Sequence, residues 1–268
     1  MELNVLDLFS GIGGFSVALE STGKFKTIGF CEQDKFCQKV LHKHWPNIPI
    51  HEDIKKLDGT KIKADVLVGG FPCQSFSIAG KQKGKDDERY LWDEMFRVIK
   101  EVQPRWIIGE NVQNLINIAD GQILQGIHND LEAENYEVQT FCISAASIGA
   151  WHKRSRVWIV AANTNSRLRR GRGAEFKSRK NEVREFHFKE EKQSEQHIRS
   201  KIIGHNVISG ETKDWWQTFS KLYRIPHGIQ YGLDKDRANR IKALGNSIVP
   251  QIVTEIGKAI IKAEEENV

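Results

Sequence analysis

Apolar runs of strand length alternate with helical patterns along the first 162 residues of this chain. The strand-like runs lie near residues 3–9, 26–31, 65–70, 105–109, 137–143 and 156–162, and the helical patterns near 14–22, 34–44, 91–101 and 121–134. Strands that alternate with helices form mostly parallel sheets with helices packed on their faces. The alternation therefore predicts an α/β domain with a mostly parallel twisted sheet flanked by helices.

A further helical pattern occupies residues 248–265, near the carboxyl end of the chain. It follows Asn246 and Ser247, and its apolar residues Ile252, Ile256 and Ile260 recur at helical spacing. We expect a terminal helix here.

A glycine-rich turn, residues 9–14, separates the first predicted strand from the first predicted helix. Such a turn lets a nucleotide-like ligand approach the backbone, and an acidic residue at the end of the next strand commonly binds ribose hydroxyls. Glu32 stands at that position. The spacing differs from the dinucleotide pattern, because Ser16 replaces its third glycine or alanine. A plain tight turn is the alternative interpretation.

A single cysteine, Cys73, follows the apolar run 66–68 within the sequence Gly70-Phe71-Pro72-Cys73. The glycine permits a sharp turn and Pro72 fixes one backbone dihedral, so the thiol is presented on a stiff corner. That placement suits a nucleophile. The alternative is a buried, unreactive cysteine.

Three further motifs follow in order. They are Glu110-Asn111-Val112 after an apolar run, Arg154 and Arg156 in Lys153-Arg154-Ser155-Arg156, and Ala243-Leu244-Gly245-Asn246-Ser247 before the terminal helix. Together with the glycine-rich turn and Cys73, they resemble the DNA cytosine-5 methyltransferase family of bacteria and phages. The resemblance covers roughly residues 1–165 and 225–257.

The resemblance implies a Rossmann-like methyltransferase fold with a small target-recognition domain. Residues 1–162 and 227–268 would form the catalytic domain, which binds S-adenosyl-L-methionine, and residues 163–226 would form the target-recognition domain. It also implies that the terminal helix packs beside the glycine-rich turn.

The catalytic residues implied by the resemblance are Cys73, Glu110, Arg154 and Arg156. The Cys73 thiolate would add to carbon 6 of cytosine and make carbon 5 nucleophilic. Glu110, kept protonated by burial, would donate to nitrogen 3, and Arg156 would approach the O2 carbonyl. Arg154 would hold the catalytic residues or a backbone phosphate. Position 152 usually carries glutamine in the family, and His152 leaves its role open.

The resemblance also implies the cofactor S-adenosyl-L-methionine, released as S-adenosyl-L-homocysteine. The residues assigned to it are Phe9, Gly11, Gly13 and Gly14 on the methionine side, Glu32 at the ribose, Asp53 and Ile54 at the adenine, and Pro72 and Asn246 closing the pocket. The four cysteines form no CxxC pair, so we expect no metal site and four reduced thiols.

Duplex DNA is the expected partner, with the target cytosine flipped out of the helix. The residues assigned to DNA are Gln74, Ser77 and Arg89, in a polar segment that would close over it, and the arginines Arg167, Arg169, Arg170 and Arg172. Residues 164–201 carry 12 Lys or Arg against 6 Glu, a net charge of +6, which suits phosphate binding.

Two parts of the predicted target-recognition domain have a second interpretation. The stretch 184–196 has the composition of a solvated insertion. Trp215, Trp216 and Phe219 would stack against DNA or form the core of the small domain.

The composition excludes membrane and secretory classes. A chain of 268 residues with 39% hydrophobic content can bury a sizeable core, and it has neither an apolar run of about 20 residues nor a secretory signal. We expect a cytoplasmic monomer without membrane contact, with a separately encoded restriction endonuclease as an open question. Methylation of RNA and a catalytically inactive DNA-binding relative are the alternative functions.

Overall fold

The computed structural model describes residues 2–72, 91–150, 153–165, 184–185 and 236–266. In these residues eight strands form one sheet, in the order β3-β2-β1-β4-β5-β7-β6-β8. The strands are β1 (Leu3–Leu8), β2 (Phe25–Cys31), β3 (Ile50–His51), β4 (Val66–Gly69), β5 (Trp106–Val112), β6 (Tyr136–Ser144), β7 (Ser155–Asn163) and β8 (Arg184–Glu185). The six strands expected from the sequence are confirmed. The two-residue strands β3 and β8 are too short to produce a periodic pattern.

The described residues also form six α-helices. They are α1 (Gly14–Glu20), α2 (Lys35–His44), α3 (Trp92–Val102), α4 (Gln122–Ala133), α5 (Arg237–Asn246) and α6 (Pro250–Glu266). The terminal helix α6 begins at Pro250, two residues later than expected, because proline suits the first helical position, which needs no N–H donor. Among the described helices, none combines the length and the apolar character that a membrane span requires.

The sheet is parallel over five strands and antiparallel at β7. Strand β1 pairs in parallel with β2 and β4, and β4 pairs in parallel with β5. Strand β7 runs antiparallel to both β5 and β6. No long helix separates β6 from β7, so the chain returns directly beside β6, as an antiparallel pair allows. The prediction of a mostly parallel sheet is confirmed.

Each face of the sheet covers its own hydrophobic core, because successive strand residues point to opposite faces. On β1, Leu6 and Leu8 join the core that contains the buried side chains of α3 and α4. Leu3 and Val5 join the core that contains those of α1 and α6. The structure therefore has three layers, with the sheet in the middle.

The terminal helix α6 packs against α1, the helix that follows the glycine-rich turn. The Thr254 hydroxyl donates to the Ala18 carbonyl at 3.2 Å. A Cβ added at Gly257 would lie 2.9 Å from the Leu19 side chain, so a larger residue there would require that side chain to shift. Residues from both ends of the chain thus build one core.

The chain divides into two compact units, Met1–His187 with Ala243–Val268 and Phe188–Lys242. In the second unit only residues 236–242 are described. The predicted target-recognition segment, 163–226, lies outside the described residues except for 163–165 and 184–185, and it stays a prediction.

Asp7 is a fully buried acid in the centre of the sheet. Its Oδ2 accepts a hydrogen bond from the Ser16 hydroxyl at 2.8 Å, and its Oδ1 has no partner among the described residues. The pKa of Asp7 is raised from 3.8 to about 8, mainly by burial; hydrogen bonds with Ser16 oppose the rise, and the nearby Glu32 and Glu20 carboxylates contribute to it. Asp7 is therefore neutral in the folded protein near neutral pH.

Replacing Asp7 with asparagine should remove a pH dependence of stability. Between about pH 4 and 8 the unfolded state has lost this proton and the folded state keeps it, so wild-type stability falls as pH rises. The free energy of unfolding of Asp7→Asn minus that of wild type should increase across this range, by at most about 1.4 kcal/mol per pH unit. Urea unfolding at several pH values measures the difference.

Asp58→Asn is the matched control. The pKa of this exposed carboxyl is lowered to about 2 by hydrogen bonds from Lys61 and Thr60, so Asp58 is ionised in both states above pH 5. Its difference from wild type should stay flat between pH 5 and 8. A flat difference for Asp7→Asn as well would show that Asp7 is ionised in the folded protein.

Candidate active site

The described site residues lie at one edge of the sheet, where the carboxyl ends of the five parallel strands meet. Strand β1 lies between β2 and β4, and the chain connections leave it in opposite directions along the sheet. Ligands of open α/β sheets bind at such a switch point. The turns after β1, β2 and β4 and the end of β5 therefore frame one cleft.

The glycine-rich turn after β1 has an unusual backbone. Phe9, Gly11 and Gly13 all have positive φ, at 52°, 55° and 84°. A Cβ at Gly13 would lie 2.6 Å from the Trp45 ring, so the turn packs directly on that side chain. No described atom lies within 4 Å of the position that a Cβ would take at Gly11. The turn is thus closed towards the protein at Gly13 and open at Gly11.

Glu32, at the end of β2, binds this turn. Its Oε2 accepts the Gly11 N–H at 2.7 Å and its Oε1 accepts the Asp34 N–H at 2.7 Å. Each carboxylate oxygen has a second lone pair, which ribose hydroxyls could use. The Ser10 hydroxyl also joins the two strand ends, because it donates to the Asp7 carbonyl at 2.5 Å and accepts the Cys31 N–H at 3.2 Å. The sequence pattern gave Ser10 no role.

Asp53 and Ile54 continue the same edge beyond β3. The Asp53 carboxylate accepts the Lys55 N–H at 3.0 Å and caps a short 3-10 helix, Ile54–Lys56. Ile54 is buried against the core. An open glycine turn and two carboxylates with free lone pairs, all at one edge, fit a nucleoside ligand that carries hydroxyl and amino donors.

Glu110 and Arg156 form an ion pair in the other half of the cleft. The Arg156 Nε lies 3.0 Å from the Glu110 Oε1, and Glu110 is only 9% exposed. Their strands are antiparallel neighbours, with Glu110 opposite Trp158 and Arg156 opposite Val112, so the two side chains meet diagonally. Burial raises the pKa of Glu110, and the charges of Arg156 and Arg154 oppose that rise. Burial is the larger effect.

Gly70 and Phe71 bring the segment that leads to Cys73 against this pair. A Cβ at Gly70 would lie 3.2 Å from the Glu110 Oε2, so the glycine allows the backbone to pass close to the carboxylate. The Asn111 side chain donates to the Phe71 carbonyl at 3.0 Å and accepts the Val112 N–H at 2.8 Å. Asn111 therefore joins the ends of β4 and β5, a contact that the sequence did not reveal.

Several predicted site residues lie outside the described residues. They are Cys73, Gln74, Ser77, Arg89, Arg167, Arg169, Arg170 and Arg172, together with His152, Trp215, Trp216 and Phe219. Pro72, which precedes Cys73, is described and half-buried. The roles assigned to these residues stay predictions.

Arg154 contacts the carboxyl-terminal segment of the chain. Its Nη1 donates to the Gly245 carbonyl and its Nη2 to the Ser247 carbonyl, both at 2.8 Å. These two carbonyls flank Asn246, which is exposed. Burial lowers the pKa of Arg154, and the neighbouring Arg156 charge lowers it further. The guanidinium thus fixes the backbone on both sides of Asn246.

Among the described cysteines, Cys31 has surroundings unlike those of a nucleophilic thiol. Cys31 and Cys37 are buried, and Cys142 is half-buried. Burial raises the pKa of Cys31 to about 12, and the Glu32 and Asp53 charges act in the same direction. A thiol with this pKa stays protonated, so Cys31 is unsuited to nucleophilic attack.

Comparison with known proteins agrees with this geometry. The chain is 42% identical over 164 residues to the Type II methyltransferase M1.ScrFI of Lactococcus lactis subsp. cremoris, a match over 60% of this chain and 42% of that protein. It is 34% identical over 159 residues to the Type II methyltransferase M.HhaI of Haemophilus parahaemolyticus, over 59% of this chain and 48% of that protein. The chain thus spans less than half the length of these two relatives.

A solved structure shares the fold over nearly the whole chain. The Dnmt2 methyltransferase of S. pombe superposes with a TM-score of 0.63 and covers 98% of this chain and 99% of its own, at 16% identity. The likeness supports the Rossmann-like methyltransferase fold expected from the sequence. Residues 3–225 match the profile of the C-5 cytosine-specific DNA methylases. With most of its length matched in this way, the chain belongs to the C-5 cytosine-specific DNA methylase family.

Proposed function

We propose that this protein transfers a methyl group from S-adenosyl-L-methionine to carbon 5 of a flipped-out cytosine in a specific duplex DNA sequence. The reaction passes through a covalent adduct with Cys73. The observation that carries the proposal is the buried Glu110–Arg156 pair beside Gly70, three residues before Cys73. An acid, a fixed cation and a nucleophile are the groups that this reaction needs at the ring.

Cys73 opens the reaction as a nucleophile. The thiolate electron pair forms the bond from sulfur to carbon 6, and the ring electrons move towards nitrogen 3 and O2. Glu110 donates its proton to nitrogen 3, because burial favours the protonated carboxyl. The Arg156 guanidinium stabilises the charge on O2. Carbon 5 becomes nucleophilic as a result, and it would form the bond to the methyl group that S-adenosyl-L-methionine supplies while that group's bond to sulfur breaks.

The later steps restore the ring. Solvent takes the proton from carbon 5, its electron pair forms the double bond between carbons 5 and 6, and the Cys73 thiolate leaves. The proton on nitrogen 3 returns to Glu110. Cys73 and Glu110 therefore act both in the addition to the ring and in the later elimination.

The cofactor residues lie beside this half of the cleft. S-adenosyl-L-methionine supplies an electrophilic methyl group on a sulfonium sulfur and is released as S-adenosyl-L-homocysteine. Glu32 would accept the ribose hydroxyls, and the open side of the turn at Gly11 would admit the methionine portion. Asp53 would accept from the adenine amino group beside Ile54, and Arg154, which binds the carbonyls on both sides of Asn246, would hold that residue for contact with the cofactor.

Base choice and DNA affinity belong to the segment 163–226 in this proposal, with the arginines between positions 167 and 172 on phosphates. The protein acts as a cytoplasmic monomer. Methylation of RNA is the second candidate, since the same residues would activate cytosine in either nucleic acid.

The purified protein should form 5-methylcytosine in duplex DNA when S-adenosyl-L-methionine is present. Cys73→Ser should abolish turnover and retain DNA binding, because a hydroxyl is a much weaker nucleophile than a thiolate. Mass spectrometry of digested DNA identifies the product, and bisulfite sequencing identifies the recognised sequence.

Cys142→Ser is the matched control, since it changes a described cysteine outside the cleft, and it should keep wild-type turnover. Product found only as N4-methylcytosine or N6-methyladenine would contradict the proposal. Methylation of RNA with no methylation of DNA would favour the second candidate.

Glu110→Gln should lower kcat by about 10²- to 10⁴-fold, because the amide can donate a hydrogen bond but cannot transfer the proton. The wild-type rate should fall as pH rises through the raised pKa of Glu110, since the protonated form is the active one. That fall should be absent from the residual activity of the variant. Rates of methyl transfer measured across the whole pH range in which the protein stays folded test both points.

Glu101→Gln is the matched control. Its carboxylate also pairs with an arginine, at 2.7 Å from Arg97, but on α3 outside the cleft. Its rate and pH profile should follow wild type. An unchanged kcat for Glu110→Gln would remove Glu110 from proton transfer.

Arg154→Lys should raise the Kd for S-adenosyl-L-methionine about tenfold, because lysine cannot donate to both carbonyls that flank Asn246. Isothermal titration calorimetry measures the affinity. Arg105→Lys is the control, since Arg105 is also largely buried but pairs with Glu264 and Asp65 at the amino end of β5. Equal affinities for the two variants would contradict the role given to Arg154.

A further inference from the structure

An aromatic contact joins the two ends of the segment that carries Cys73. Phe71 lies two residues before Cys73, and Trp92 is the first residue of α3. Both rings are only 2% exposed, and their centroids lie 5.3 Å apart with an interplanar angle of 56°. The Trp92 ring also stacks on Phe96 at 6.0 Å. Trp92 thus connects α3 to Phe71, which follows β4 in the segment that leads to Cys73.

Asp130 fixes the orientation of Trp92. The indole Nε1 donates to the Asp130 Oδ2 at 2.8 Å, from α3 to α4. A buried indole N–H needs a partner, and a carboxylate acceptor makes the bond stronger than a neutral one would. The ring therefore has one preferred position, set by a helix that lies outside the cleft.

Phe71 is held from two directions. The Asn111 amide holds its carbonyl at 3.0 Å, and Trp92 holds its ring. Pro72 follows, and its ring restricts the backbone of the chain that continues to Cys73. Asn111 belongs to the same motif as Glu110, whereas Trp92 and Asp130 lie outside every motif of the sequence.

We propose that Trp92, held by Asp130, is a positioning residue for methyl transfer. It sets the place of Phe71, from which the chain continues through Pro72 to the proposed nucleophile, Cys73. The proposal rests on the function proposed above. Trp92 itself touches no reacting atom.

A core tryptophan would affect stability alone, and the chain offers a matched control for that case. Trp106 Nε1 donates to the Glu264 Oε1 at 2.8 Å, the same bond at the amino end of β5. Trp106→Phe and Trp92→Phe therefore remove equivalent hydrogen bonds from two buried rings. Only Trp92 contacts the segment that leads to Cys73.

Trp92→Phe should lower kcat about 10-fold or more, because small displacements of a reacting group are costly. Its KM for S-adenosyl-L-methionine should stay within about twofold of wild type, since only the chemical step has been impaired. Covalent trapping on DNA that contains 5-fluorocytosine should slow by the same factor as kcat. Trp106→Phe should show a similar fall in Tm with wild-type kcat.

Substitutions of Asp130 separate positioning from packing, because they keep the indole ring of Trp92 and change only the acceptor of its N–H. Asp130→Asn keeps a carbonyl acceptor for the indole N–H and should restore most of the wild-type kcat. Asp130→Ala should show the loss seen in Trp92→Phe. The double variant Trp92→Phe/Asp130→Ala should be no slower than either single variant, because the two substitutions remove the same interaction.

Two results would overturn the proposal while the proposed function stands. One is an active wild type in which Trp92→Phe and Trp106→Phe have equal kcat. The other is an Asp130→Ala variant with wild-type kcat and trapping rate. A wild type that forms no 5-methylcytosine would instead overturn the proposed function, and this inference with it.

Discussion

The parallel pairing of β1 on both of its sides is the constraint on which the site depends. In the sheet Leu8 is level with Cys31 on β2 and with Gly69 on β4. The residues that follow these three, which are Phe9, Glu32 and Gly70, must therefore emerge side by side at one edge. A parallel register needs helical crossovers between strands, and those helices bury the sheet on both faces. The edge is left as the place where polar groups can meet a ligand.

That placement puts acids in or near the core, and the two acids that are buried among the described residues, Asp7 and Glu110, differ in their surroundings. Asp7 has one hydroxyl partner, and burial raises its pKa to about 8, so it behaves as a neutral group. Glu110 has an arginine partner, and burial still raises its pKa against that charge. A carboxyl balanced between burial and a cation is suited to give up and recover a proton. Asp7 has no such cation beside it among the described residues, so its role is structural.

Local patterns predicted most of the fold and the motif residues, because periodicity and turn chemistry are properties of short stretches. The six longer strands and the four helices before residue 140 follow from them. The contacts that hold the site do not. Arg154 reaches Ser247 over 93 positions, Asn111 reaches Phe71 over 40, and Trp92 reaches Asp130 over 38. Such pairs depend on how elements pack, which no single stretch of sequence records. Strand β3 was missed for a different reason, since two residues give no period.

The site also depends on the last helix, although that helix contributes no predicted catalytic group. Thr254 binds the carbonyl of Ala18 in α1, and Glu264 accepts from Trp106 at the start of β5. Arg154 in turn holds the chain just before α6. These contacts link the sheet to residues near the carboxyl end, so α6 supports both the helix that follows the glycine-rich turn and the strand that carries Glu110. The cleft is therefore the product of long-range packing, and its two halves are stabilised together by one helix that neither half contains.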